Sequence, residues 1–127
     1  MPHDPSHPQT WLARAKSSLA LAQVKPSPEI FLEELGYNAQ QEAEKALKAL
    51  CISRGIAFPK THNLGLLLDL LQQHGEALPS EVLRAVELTP FAIALHYPGT
   101  HPPITYDDYL DAVEVARGIV EWVEAHL

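Results

Sequence analysis

Residues 37–64 read YNAQQEAEKALKALCISRGIAFPKTHNL. Ala39, Ala43, Ala46, Leu47 and Leu50 recur at steps of three and four, the period of one helix face. Ile30, Phe31 and Leu35 extend the same stripe upstream. A long amphipathic helix is therefore predicted within 29–58. Gly55 follows Arg54 as a stop, because glycine enters the left-handed region that ends many helices. Thr61 or Asn63 can then cap the next helix with a side-chain oxygen.

Working outward, the 11 prolines punctuate the rest of the chain, at 2, 5, 8, 26, 28, 59, 79, 90, 98, 102 and 103. Each removes an amide donor and clashes with the preceding helical turn, so long helices must fall between them. Thr10 to Val24 places Trp11, Ala15, Leu19 and Ala22 on one side. After the cap at Thr61 or Asn63 come Leu64, Leu67, Leu68 and Leu71, with Gly75 as terminator. A fourth helix begins at Ser80 and carries Val82, Leu83, Val86 and Phe91, and Pro90 predicts a kink or break in it. A fifth opens on Thr105, with Asp108 in the reciprocal capping position and Asp107 beside it at the positive dipole end. Its stripe runs Tyr109, Ala112, Val113, Ala116, Ile119, Val120 and Val123. No strand-like alternation or fixed-period repeat is visible. Short connections between amphipathic helices favour antiparallel neighbours, so the expected fold is all-α, an up-and-down bundle of four to five antiparallel helices. Residues 1–9 read as a proline-rich tail and 10–127 as one helical domain.

Apolar residues make up 46% and charged residues 20% of the 127, enough to bury a core. Nine cations face 16 acids, a formal charge of -7 with histidine neutral. That excess argues against a broad nucleic-acid platform, which needs clustered cations. The charge is unevenly divided, however: residues 1–60 hold 7 cations and 6 acids, and residues 61–127 hold 2 and 10. A small phosphate site on the first two helices stays open. The lone Cys51 cannot form an internal disulfide or anchor a cysteine-rich zinc site. There is no apolar run of membrane-spanning length, and the first residues lack a signal peptide's layout, so a cytoplasmic protein without membrane contact is expected.

The EKALKA helix, the glycine turn and PKTHNL together resemble the HEPN domain, a nucleotide-binding domain named for higher eukaryotes and prokaryotes. The segment LHYPGTHPPITYDDYLDAVEVARGIVEWV is similar to that family's tyrosine-proline turn and last helix. The resemblance spans roughly residues 10–127. It implies a helical bundle, usually a homodimer, with one of two activities. Some members act as subunits that bind substrate or nucleotide beside a separately encoded minimal nucleotidyltransferase. Others are metal-independent ribonucleases, often the toxin of a toxin–antitoxin pair. The ribonucleases carry an Arg, four to six residues, then a His. None of Arg14, Arg54, Arg84 or Arg117 is followed by histidine at that spacing, and His62 lies one residue too far from Arg54. His96 stands before Tyr97 and Pro98, where many relatives have arginine. A non-catalytic binding subunit is the expected function, with a divergent ribonuclease or a purely structural dimerisation module as alternatives.

The candidate binding residues are Gln41, Glu44, Lys45, Lys48, His62, His96 and Tyr97. Glu44 and Lys48 are one turn apart in the favoured order, which by itself makes a surface ion pair. Gln41, Lys45 and Lys48 share a face on which lysine suits a phosphate and glutamine a base edge or ribose. His62 sits beside Lys60 at a helix start, where anions are favoured. Tyr97 is expected to pack against the bundle, and Trp11 and Trp122 to lie in the core or a dimer interface. His3, His7, His96 and His101 invite a metal reading, but their spacing is irregular and no cysteine is near. No catalytic residue, metal or cofactor is assigned.

Overall fold

The computed structural model describes residues 7–97, 99 and 102–127. His3, Pro98 and His101 therefore lie outside the described residues. The order is α1 (Pro8–Ala22), α2 (Leu32–Ser53), α3 (Leu64–Gln73), the single turn α4 (Ser80–Leu83), a 3-10 turn (Arg84–Leu88), α5 (Thr89–His96) and α6 (Tyr106–His126). Among the described residues there is no strand, and no helix is long and apolar enough to cross a membrane. The all-helical bundle expected from the periodicities is what forms.

The caps read from the sequence do their work. Asn63 accepts from the Leu66 amide at 3.1 Å. Thr105 and Asp108 exchange both bonds of a capping box, at 3.1 and 3.0 Å. Gly55 turns to φ +69°, so that Ile56 donates back to the Cys51 carbonyl at 2.9 Å and closes α2.

α2 is the central element. Its buried residues include Leu35, Ala39, Ala43, Ala46, Leu47 and Leu50, as the stripe predicts. Phe31 precedes the first turn and is 72% exposed instead. α1 runs antiparallel to α6: Tyr109 Oη donates to the Ala22 carbonyl at one end, and Lys16 pairs with Glu124 at the other. α2 and α6 run side by side in the same sense, with Arg54 donating to the His126 carbonyl at 2.8 Å where both end. All seven apolar residues predicted for the α6 stripe are buried.

Two faces differ from the periodicity reading. α1 buries Thr10, Leu12, Ala15, Ser18 and Ala22, leaving Trp11 and Leu19 at the boundary. The rotation is imposed by α2, whose Lys45 reaches Ser18 and whose Lys48 lies over Trp11. In the fourth segment, Val86 is exposed and the buried residues are Val82, Ala85, Leu88 and Phe91. A spacing of three is the period of the 3-10 turn, and a stripe drawn at 3.6 misses it. Pro90 breaks the segment, as expected, by falling in the first turn of α5, where its missing amide costs nothing.

The Phe91 ring packs directly on Gly36, and a Cβ there would fall inside the ring's Cδ1 and Cε1 contact distance. We expect Gly36→Ala to cost roughly 2–3 kcal/mol despite its gain in helix propensity, because overpacking a filled core forces backbone shifts. A urea melt checks this. An unchanged or stabilised variant would mean that Phe91 leaves its site freely.

Candidate functional site

The sequence EKALKA makes α2 present one polar row, and the turn at Gly55 brings the PKTH segment back across it. Glu44 is the hub. Its Oε2 accepts from Lys48 Nζ at 3.0 Å, and its Oε1 meets His62 Nδ1 at 2.9 Å and Gln40 Nε2 at 3.4 Å. Gln40 also donates to the His62 carbonyl at 3.4 Å and receives the Gln41 amide at 2.9 Å. A buried glutamine thus ties the loop backbone to the helix.

The surface ion pair expected for Glu44 and Lys48 is corrected here. Their side chains are only 3% and 8% exposed. Lys48 Nζ lies 5.5 Å from the Trp11 ring centre and 5.7 Å from that of Phe58. Those two rings meet edge to face at 6.4 Å. A buried ammonium needs such partners, since desolvation otherwise outweighs its attraction to one carboxylate. Lys48 is thus held as an internal charge, walled in by α1 and by the loop after α2.

His62 is the outward face of the same cluster. Its side chain is 75% exposed. A carboxylate offers only lone pairs, so Nδ1 carries the hydrogen in the Glu44 contact and Nε2 points to solvent. This is the carboxylate–imidazole arrangement that fixes a ring's orientation and tautomer. Lys45, one turn back from Lys48 toward α1, donates to Ser18 Oγ at 2.9 Å. Burial lowers its pKa; Glu44 opposes that, and Arg14 and Lys48 reinforce it. Lys45 therefore lies in the field of one carboxylate, Glu44, and of two further cations, Arg14 and Lys48, in a chain of net charge -7.

The remaining candidates lie at the margin. His96 contacts Tyr37 edge to face at 5.5 Å. Tyr37, on the same side of α2, has its hydroxyl pKa raised by burial and then by the charge of Glu44. His96 thus borders the cluster through Tyr37. Tyr97 follows α5 and is 65% exposed. The sequence reading missed Gln40, Tyr37, Ser18 and Phe58. Tyr37, Gln40, Glu44 and Lys48 follow one another at steps of three and four, so the first two were within reach of the spacing argument. Ser18 and Phe58 come from other segments.

The nuclease spacing is absent from the sequence, and Arg54, the arginine nearest to His62 in sequence, is committed elsewhere. It pairs with Glu76 and donates to Ser53 and to the His126 carbonyl. Among the described residues, no group of three histidine, cysteine or carboxylate side chains is placed to hold a metal ion.

The comparisons with known proteins agree with this architecture. The crystal structure of TT1696 from Thermus thermophilus is similar over 100% of both chains, with 28% identity and a TM-score of 0.78. None of the curated proteins compared with the chain matches it. The HEPN domain profile matches residues 8–126, from the first turn of α1 to the last residue of α6. This chain belongs to the HEPN domain family, whose domains are of nucleotide-binding or ribonuclease type.

Proposed function

We propose that this chain is a nucleotide- or substrate-binding subunit that acts beside a separately encoded minimal nucleotidyltransferase and supplies no catalytic group of its own. The observation that carries the reading is the cation cluster on α1 and α2, with Lys45 and Arg14 outside a buried Glu44–Lys48 pair and His62 exposed above it. Mutual repulsion among these cations favours a bound anion, and a phosphate meets that need. Gln41 and His62 offer donors and an acceptor for the rest of a nucleotide. The acidic half of the chain, residues 61–127, keeps an extended nucleic acid away. Homodimerisation belongs to the same proposal. Leu21, Val24, Tyr106 and Leu110, exposed where α1 ends and α6 begins, provide apolar surface for it.

Calorimetric titration with ATP and GTP, alone and with the product of the adjacent reading frame, tests the proposal. We expect binding that weakens about tenfold or more in Lys45→Ala and in His62→Ala, the loss of one charge-assisted contact each. Absence of binding and of any complex, under both conditions, would overturn it.

The Glu44–His62 pair favours a second reading, a divergent metal-independent ribonuclease of the toxin type. An imidazole oriented by a carboxylate, with its outer nitrogen free, is suited to proton transfer. Labelled RNA incubated with the pure protein in EDTA separates the two. Cleavage lost in His62→Ala supports the ribonuclease, and intact RNA at high protein concentration removes it.

A further inference from the structure

Two acids are buried on α2, and they differ in what lies beyond them. Glu42 is 0% exposed, and among the described residues neither of its carboxyl oxygens has a hydrogen-bond partner. It offers a ligand no access. Glu44 is almost as buried, but one bond connects it to an imidazole that is 75% exposed. Its Oε1 lies 2.9 Å from His62 Nδ1, and its Oε2 accepts from Lys48 Nζ at 3.0 Å. The lysine thus holds the carboxylate in place behind the ring. The Nδ1 hydrogen faces Glu44, and the Nε2 lone pair faces solvent.

Two other histidines show what the carboxylate adds. His74 Nδ1 meets the Leu70 carbonyl at 2.8 Å, and His126 Nδ1 meets the Trp122 carbonyl at 2.7 Å. Both residues are exposed. A carbonyl only accepts, so these rings carry the same tautomer and the same outward Nε2. Of the three, His62 has a full negative charge behind Nδ1. Such a charge raises the basicity of the outer nitrogen and stabilises positive charge that develops on the ring as that nitrogen bonds. Lys60, exposed two residues earlier, adds a cation that favours the approach of an anionic donor.

We propose that His62 is a phosphoryl-acceptor site, with Nε2 as the nucleophile and Glu44 as its positioning residue. The Nε2 lone pair forms a bond to phosphorus, and the bond from phosphorus to the leaving group breaks. The leaving group departs with that electron pair, and Glu44 meets the charge on the ring through the Nδ1 hydrogen. The nitrogen–phosphorus bond so formed has a high transfer potential, so the donor must be of the same class, a phosphoramidate or an acyl phosphate. The acceptor role does not depend on the nucleotide-binding reading. It also differs from that of a ribonuclease's base, which ends the reaction unmodified.

The probe is potassium phosphoramidate, from which ammonia leaves. The full chain is incubated with it at mildly alkaline pH, and its seven histidines are followed by phosphorus-31 NMR and peptide mass spectrometry. His62 should be phosphorylated about tenfold or more faster than His74 and His126, and on Nε2 alone. His62→Asn should remove that fast signal. Glu44→Gln, made together with Lys48→Met so that no charge is left buried alone, should lower the His62 rate to that of His74 and His126. The rates at those two should not change. If the double variant fails to fold, the comparison within the wild type decides by itself. A His62 rate no greater than the other two, or a product on Nδ1, would overturn the proposal. So would a folded double variant that keeps the fast rate.

Discussion

Lys48→Met should destabilise the protein by about 3–5 kcal/mol, among the largest losses for any single polar-to-apolar change in this chain. The expectation follows from burial. Removing the ammonium leaves Glu44, 3% exposed, without its cation in a pocket closed by Trp11 and Phe58. His62 and Gln40 still donate to Oε1, but Oε2 loses its partner. The double variant Glu44→Gln with Lys48→Met should recover much of the loss, since a neutral amide beside a thioether buries no unpaired charge. Urea denaturation of the wild type, both single variants and the double variant gives the coupling energy, expected to be about 2 kcal/mol or more. A Lys48→Met variant within about 1 kcal/mol of wild type would mean that the pair behaves as a solvated surface bridge.

The second large effect is the pH dependence of stability contributed by Glu42. The folded state holds its pKa near 8, against an unfolded value near 4.5. The unfolded chain therefore releases the proton first. Stability from this group is fully present below pH 4.5 and falls as pH rises, until the folded group also ionises near pH 8. Each unit of difference is worth about 1.4 kcal/mol, so the swing across that window is on the order of 5 kcal/mol. Glu42→Gln removes the titration while keeping the shape. Relative to wild type it should gain steadily between pH 4.5 and 8, by up to about that amount. At pH 4 it should be no more stable, because it buries an amide with no more partners than the acid had. Thermal melts of both proteins across this range supply the difference curve. Parallel pH profiles would sink the expectation.

Local signals fixed the secondary structure where backbone chemistry alone decides it. Asn63, Thr105 with Asp108, Gly55 and Gly75 end or begin helices because each satisfies backbone groups within a few residues of itself, so no distant partner is needed. Pro90 broke its segment for the same reason. The phase errors came where a neighbour or a different helical period overruled the local pattern. Trp11 and Leu19 were displaced by Ser18 and Leu12 because α2 meets α1 with lysines as well as alanines. Val86 turned outward because three residues per turn replaced 3.6.

The site was legible in its members more than in its arrangement. The EKALKA helix and the PKTH turn named Glu44, Lys45, Lys48 and His62, and the HEPN family followed from the same residues. Spacing along α2 could put Glu44 and Lys48 side by side, but not say whether water reached them. That was decided by Trp11 from α1 and Phe58 from the loop, whose rings close over the ammonium from separate parts of the chain. Spacing could not separate the adjacent acids Glu42 and Glu44 either. One became the hub of a hydrogen-bonded cluster, and the other an orphan inside the fold. Helical period, caps and family are properties of the chain read in order, and the sequence alone determined them. Burial and protonation depend on which segments meet, and only the tertiary structure decided those.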